Sequence, residues 1–137
     1  MGEIDLDEKL SNIVCLIKFT TTLDNSGKLI YGKYFTLKDI DKQRELEQHL
    51  CFQVKNLNIC PRELDIFNMD EYNIFVKIIG EIAYFIGISE EENECLGYNF
   101  CKIFENNLGI VVHDNFDRTK ILDNYDKIVI KIDRNDI

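Results

Sequence analysis

The sequence contains no tryptophan, one proline (Pro61) and two histidines, His49 and His113. So few histidines leave little to carry protons near neutral pH. No apolar run approaches the roughly eighteen residues of a membrane-spanning helix. Lysine and arginine number 16 against 25 aspartate and glutamate, for a net charge of -9. A chain this acidic lacks the basic face that phosphate binding needs, so no nucleic-acid partner is expected. Passive adhesion to an anionic membrane is unfavourable for the same reason. The five cysteines, Cys15, Cys51, Cys60, Cys95 and Cys101, form no CxxC pair. An odd count with no apolar leader fits reduced thiols in the cytosol, each behaving as a small hydrophobe.

Catalytic and metal chemistry find little to build on. His49 and Cys51 fall on one expected helix with their side chains roughly 160° apart, too far for a nucleophile and its base. His113 falls in a loop without a serine elbow or a glycine-rich phosphate loop. Cys95 and Cys101 are six apart, the wrong interval for two zinc ligands on one helix face, and no calcium loop is present. Asp114, Asp117 and Asp123 read as helix caps and solvated charges. The expectation is therefore no catalytic residue, no metal and no cofactor.

What the sequence does hold is core material. Hydrophobic residues make up 45% of 137 positions, with nine Phe and six Tyr, enough for one domain. Residues 1–12 are acidic and aperiodic and read as a flexible terminus, leaving 13–137 as the domain. Asn12–Phe19 and Leu29–Phe35 are β-rich runs around the turn residues Asp24-Asn25-Ser26-Gly27, which suggests a hairpin. The first run is apolar on both faces and is expected centrally in the sheet. From Asp41 the period changes, with Leu46, Leu50, Val54 and Leu57 on one helical face. Asp39 or Asp41 can cap that helix, and Pro61 bounds it.

Leu64–Met69 reads as a short edge strand. Tyr72–Ile79 and Ile82–Ile88 form a hairpin about Gly80-Glu81, with glycine where a type II′ turn wants it. Ser89 and Glu92 form a capping box for a helix carrying Leu96, Phe100, Ile103, Phe104 and Leu108, with Gly109 as its stop. Ile121, Leu122, Tyr125, Ile128, Val129 and Ile132 follow a 3.6-residue period and define a last helix. The order ββαβββαα describes an α+β domain, a five-stranded antiparallel-rich sheet with three helices packed against it.

That order resembles the longin-like fold of small vesicle-coat chains, and within it the coatomer zeta family, with clathrin-adaptor sigma chains second. The stretch from Asp24 to Phe35 is similar to the family's opening hairpin, with its Asp-x-x-Gly turn and Lys-Tyr strand end. Gln43-Arg-Glu-Leu46-Glu47 resembles its first helix, although Lys55 is followed by Asn56 where the family has Thr. Ile74–Ser89 resembles its central hairpin, Glu92-Asn93-Glu94 the opening of its second helix, and Leu122–Ile128 the start of its last. The resemblance spans residues 13 to 133. It implies a non-catalytic small subunit of the COPI coat that braces a large gamma-like subunit. It further implies a cytoplasmic protein that reaches Golgi and COPI vesicle membranes only through the coat. A sigma-like or other longin-domain trafficking protein is the alternative.

The partner-binding expectation rests on aromatic residues outside the core stripes: Phe52, more than roughly 100° from the stripe of Leu46 and Leu50, and Tyr98, opposite the stripe of its helix. Phe67 on the edge strand Leu64–Met69 completes the set, since an uncovered edge needs a partner or protection. Phe52 and Tyr98 are each also readable as a satellite core contact. Two further classes are a sensor domain holding a small ligand against the sheet, which needs inward polar groups, and a cysteine-dependent enzyme, which needs an activated thiol.

Overall fold

The computed structural model describes residues 17–56 and 63–128. Among these residues there are five strands, β1 (Ile17–Asp24), β2 (Leu29–Tyr34), β3 (Leu64–Met69), β4 (Tyr72–Ile79) and β5 (Ile82–Ser89), with helix α1 (Ile40–Asn56) between β2 and β3 and helices α2 (Glu94–Val112) and α3 (Arg118–Asp123) after β5. They form one antiparallel sheet in the order β2-β1-β5-β4-β3. The fold is α+β with the element order ββαβββαα.

β5 occupies the centre because its residues Ile82 to Ile88 are buried on both faces, the signature of a strand covered twice. β1 lies beside it, interior but one place off the centre expected for it. It also runs on through Thr20, Thr21 and Thr22 to Asp24, all buried; the β-branched threonines suit a strand although they read as polar. The residues before Ile17 in the first apolar run lie outside the described part. A register shift between Ile17 and Phe19 lets these two side chains face opposite layers.

The helices cover both faces. On one, Phe75, Tyr84 and Ile86 pack against Phe100, Phe104 and Leu108 of α2 and Ile121 of α3. On the other, Phe19, Ile74 and Phe85 pack against Leu46 and Leu50 of α1. Burying each of these two leucines is worth about 2–3 kcal/mol before entropy is charged. Asp39 caps α1, its Oδ1 accepting the Asp41 amide at 3.0 Å. Leu57 and Pro61 lie outside the described residues.

The hairpin about Gly80-Glu81 is as expected: Ile79 pairs with Ile82, and Gly80 takes φ +56°. β3 and β4 are joined as tightly, Met69 pairing with Tyr72, and here two non-glycine residues, Asp70 and Glu71, carry positive φ of 52° and 70°.

α2 departs from expectation at both ends. Ser89 belongs to β5, and its hydroxyl accepts the Glu91 amide at 3.3 Å in a turn. The helix cap is Asn93, whose Oδ1 takes the Cys95 amide at 2.9 Å. Asn93 wins because the extra turn residues are needed to leave the sheet. Gly109 does not stop the helix; it is buried within it, and His113 ends it in the left-handed conformation with its amide on the Gly109 carbonyl. The buried stripe is Gly97, Phe100, Cys101, Phe104, Leu108, Gly109 and Val112, with Leu96 and Ile103 at its margins.

The last helix is also broken. α3 ends at Asp123, Asn124 forms a turn, and residues 125–128 are helical again. Ile121 and Ile128 are buried as the period requires, whereas Leu122 and Tyr125 are exposed. Val129 and Ile132 lie outside the described residues.

Candidate functional site

The three residues expected to meet a partner do not converge. Phe52, on α1, is 62% exposed. Phe67, on β3, packs in the α1 layer, its ring edge-on to Phe85 at 6.5 Å between centroids. Tyr98, on α2, is 43% exposed but rests edge-on against Phe75 at 5.2 Å. Phe67 and Tyr98 therefore sit on opposite faces of the sheet. β3 is an edge strand as expected.

Sequence reasoning missed an open cleft of about 550 Å³ between the β3–β4 side of the sheet and α2, lined in part by Leu64, Lys77, Tyr84, Tyr98, Cys101 and Glu105. Lys77 interrupts the apolar run Ile74–Ile79 of β4 and points toward α2, where Glu105 lies one turn beyond Cys101. Lys77 Nζ meets Glu105 Oε1 at 2.8 Å, and the Tyr84 hydroxyl donates to the same oxygen at 3.1 Å. A lysine in an apolar strand and a glutamate beside a helix stripe were the available signals, each readable as a solvated charge.

This cluster is chemically quiet. Burial, reinforced by Glu105, pushes the Cys101 thiol up to about 12, so it stays protonated at neutral pH. Burial also raises Tyr84, with Cys101 and Glu105 adding to the effect. Glu105 is already engaged by a lysine and a phenol. The groups satisfy one another inside the fold, and Cys101 is not activated by them.

A second polar cluster lies at the β1–β2 turn. Asp24 Oδ1 accepts the Ser26 amide at 2.9 Å, the Ser26 hydroxyl at 2.7 Å and the Lys28 amide at 2.9 Å. Its Oδ2 meets Arg118 Nε at 3.2 Å. Burial raises the Asp24 carboxyl, but the bonds from Ser26 and Lys28, with the Arg118 charge, outweigh it and hold the group below the usual carboxylate value.

His49 and His113 are both exposed, on α1 and at the end of α2; Cys51 is half-buried. Among the described residues no group of three or more His, Cys, Asp or Glu could hold a metal ion. No described helix is long and apolar enough to cross a membrane.

The architecture defines the class: a small α+β domain whose single antiparallel sheet is sandwiched between helices. Within that class the chain is similar to coatomer zeta subunits. It is 28% identical over 122 residues to coatomer subunit zeta-1 of Oryza sativa subsp. japonica, covering 85% of this chain and 67% of that protein. It is 23% identical over 123 residues to coatomer subunit zeta of Saccharomyces cerevisiae, covering 81% of this chain and 62% of that one. The chain thus spans about two thirds of the length of these relatives. No family model matches the sequence. A Roadblock/LC7 domain of Streptomyces avermitilis superposes with a TM-score of 0.46 at 16% identity, over 72% of this chain and 90% of that one.

Proposed function

We propose that the chain is a non-catalytic small subunit of a COPI-type vesicle coat, binding and bracing a large, gamma-like coat chain in transport between Golgi and endoplasmic reticulum. The observation that carries this reading is the likeness to coatomer zeta subunits from a plant and a yeast, over more than four fifths of this chain in each case. The structure supports it physically. Lys77, Glu105 and Tyr84 are engaged with one another, while Ile40, Phe52, Tyr98 and Ile110 present apolar surface from both helical layers. On this reading the protein is cytoplasmic and reaches Golgi and vesicle membranes through the assembled coat. Phe52, Phe67 and Tyr98 are its partner-binding candidates.

Affinity purification of the full chain from its native cell tests the proposal. A large coat subunit should co-purify in near-equal amount. Phe52→Asp and Tyr98→Asp together should weaken that association at least about tenfold while far-ultraviolet circular dichroism stays unchanged. A well-behaved monomer that brings down no coat chain overturns the reading.

A further inference from the structure

α3 is fastened at its first residue to two turns. Asp24, only 4% exposed, is presented by the β1–β2 turn, which supplies all three donors to its Oδ1. That hook stays formed whether or not Arg118 reaches Oδ2. The Arg118 amide also donates to Glu81 Oε2 at 3.0 Å, and the Glu81 amide donates to the Phe116 carbonyl at 3.0 Å. The β4–β5 turn is thereby joined to the same cluster.

Past this fastening the fit is poorer. Ile121 and Ile128 reach the core, but Leu122 and Tyr125 are exposed. The Tyr125 ring meets Tyr31 at 6.4 Å between centroids, and Thr22 pairs with Tyr31 in the ladder, so Thr22 shares that face, as does Thr20. All three are buried; the Thr22 and Tyr31 hydroxyls face each other, but without a well-formed bond, and the Thr20 hydroxyl has no partner among the described residues. Burying a hydroxyl in that state is costly, and water would relieve it. α2, in contrast, covers Phe75, Ile86 and a Tyr84 whose hydroxyl is bonded.

We propose that residues 117–128 form a detachable cover, clasped by Arg118 to Asp24, which lifts from the sheet as a unit while α2 stays docked. Lifting hydrates the Thr20, Thr22 and Tyr31 hydroxyls and bares that part of the sheet. The side chain of Arg118 is 46% exposed, so dissolved salt reaches the clasp and loosens it. The device needs no coat partner and stands apart from the functional proposal.

Hydrogen exchange on the full chain at neutral pH tests it. In the unaltered protein, amides of 119–128 should open more readily than those of the buried turns of α2. Arg118→Gln and Asp24→Asn should each speed exchange in 119–128 by about tenfold, with α2 changed less than about twofold. Asn retains an oxygen for Ser26 and Lys28, so the turn survives that substitution. The double variant should be no faster than either single one, because both remove one interaction, and Arg118→Lys should restore part of the protection. Equal rates in 119–128 and α2, joint acceleration of both, additive effects in the double variant, or no acceleration in either single variant would overturn the proposal.

Discussion

At the scale of single residues, the tightest constraint lies in the β3–β4 turn. A two-residue connection with positive φ at both positions is the turn that matches the right-handed twist of its strands. Asp70 tolerates the left-handed region through its short polar side chain, but Glu71, at φ 70°, carries a Cβ against the following carbonyl at a cost of about 1–2 kcal/mol. The Glu71 carbonyl accepts the Glu90 amide at 3.0 Å, a bond that glycine would keep. Glu71→Gly should therefore stabilise the protein by about 1 kcal/mol despite the added freedom of the unfolded chain. Urea unfolding would register this as a higher midpoint with an unchanged slope; a lower midpoint would mean the glutamate side chain supplies an interaction worth more than the strain.

At the scale of elements, α2 shows how close approach is bought with a missing side chain. A Cβ at Gly97 would run into the ring of Phe75 on β4, so the helix can lie this near the sheet only with glycine there. Gly97→Ala gains helix propensity of about 1 kcal/mol but forces the ring or the helix aside, at about 1–3 kcal/mol or more. With Phe75 fully buried and Tyr98 resting against it, the clash should win. Thermal unfolding should show a net loss of about 1–2 kcal/mol, and a gain would mean that the helix can shift freely. The same helix marks the limits of reading elements from sequence. Its periodicity was plain, yet Ser89 and Gly109 misplaced its ends, because the path from sheet to helix, not the strongest local motif, selected Asn93 and His113. The β4–β5 hairpin was legible since a glycine turn and two apolar runs agree. The extension of β1 through three threonines was not, because burial of their hydroxyls is a tertiary outcome. Of the site, Phe52 and Tyr98 were legible as exposed aromatics, while the Lys77–Glu105–Tyr84 cluster joins two elements that no local pattern connects.

At the scale of the whole molecule, charge and clasp respond to salt in opposite directions. A net charge of -9 on 137 residues repels itself in the compact state, and that repulsion is relieved as the screening length falls from about 20 Å to about 7 Å between roughly 0.02 and 0.2 M salt. A relief of about 1 kcal/mol would raise the melting temperature by on the order of 3–5 °C for a domain of this size. The Asp24–Arg118 pair is an attraction between opposite charges, one of them half in solvent, and the same salt weakens it. Adding salt should thus raise the melting temperature while quickening hydrogen exchange in 119–128. Should both quantities move toward greater protection, the segment is held by apolar contact alone, and Ile121 and Ile128 rather than Arg118 fasten it to the sheet.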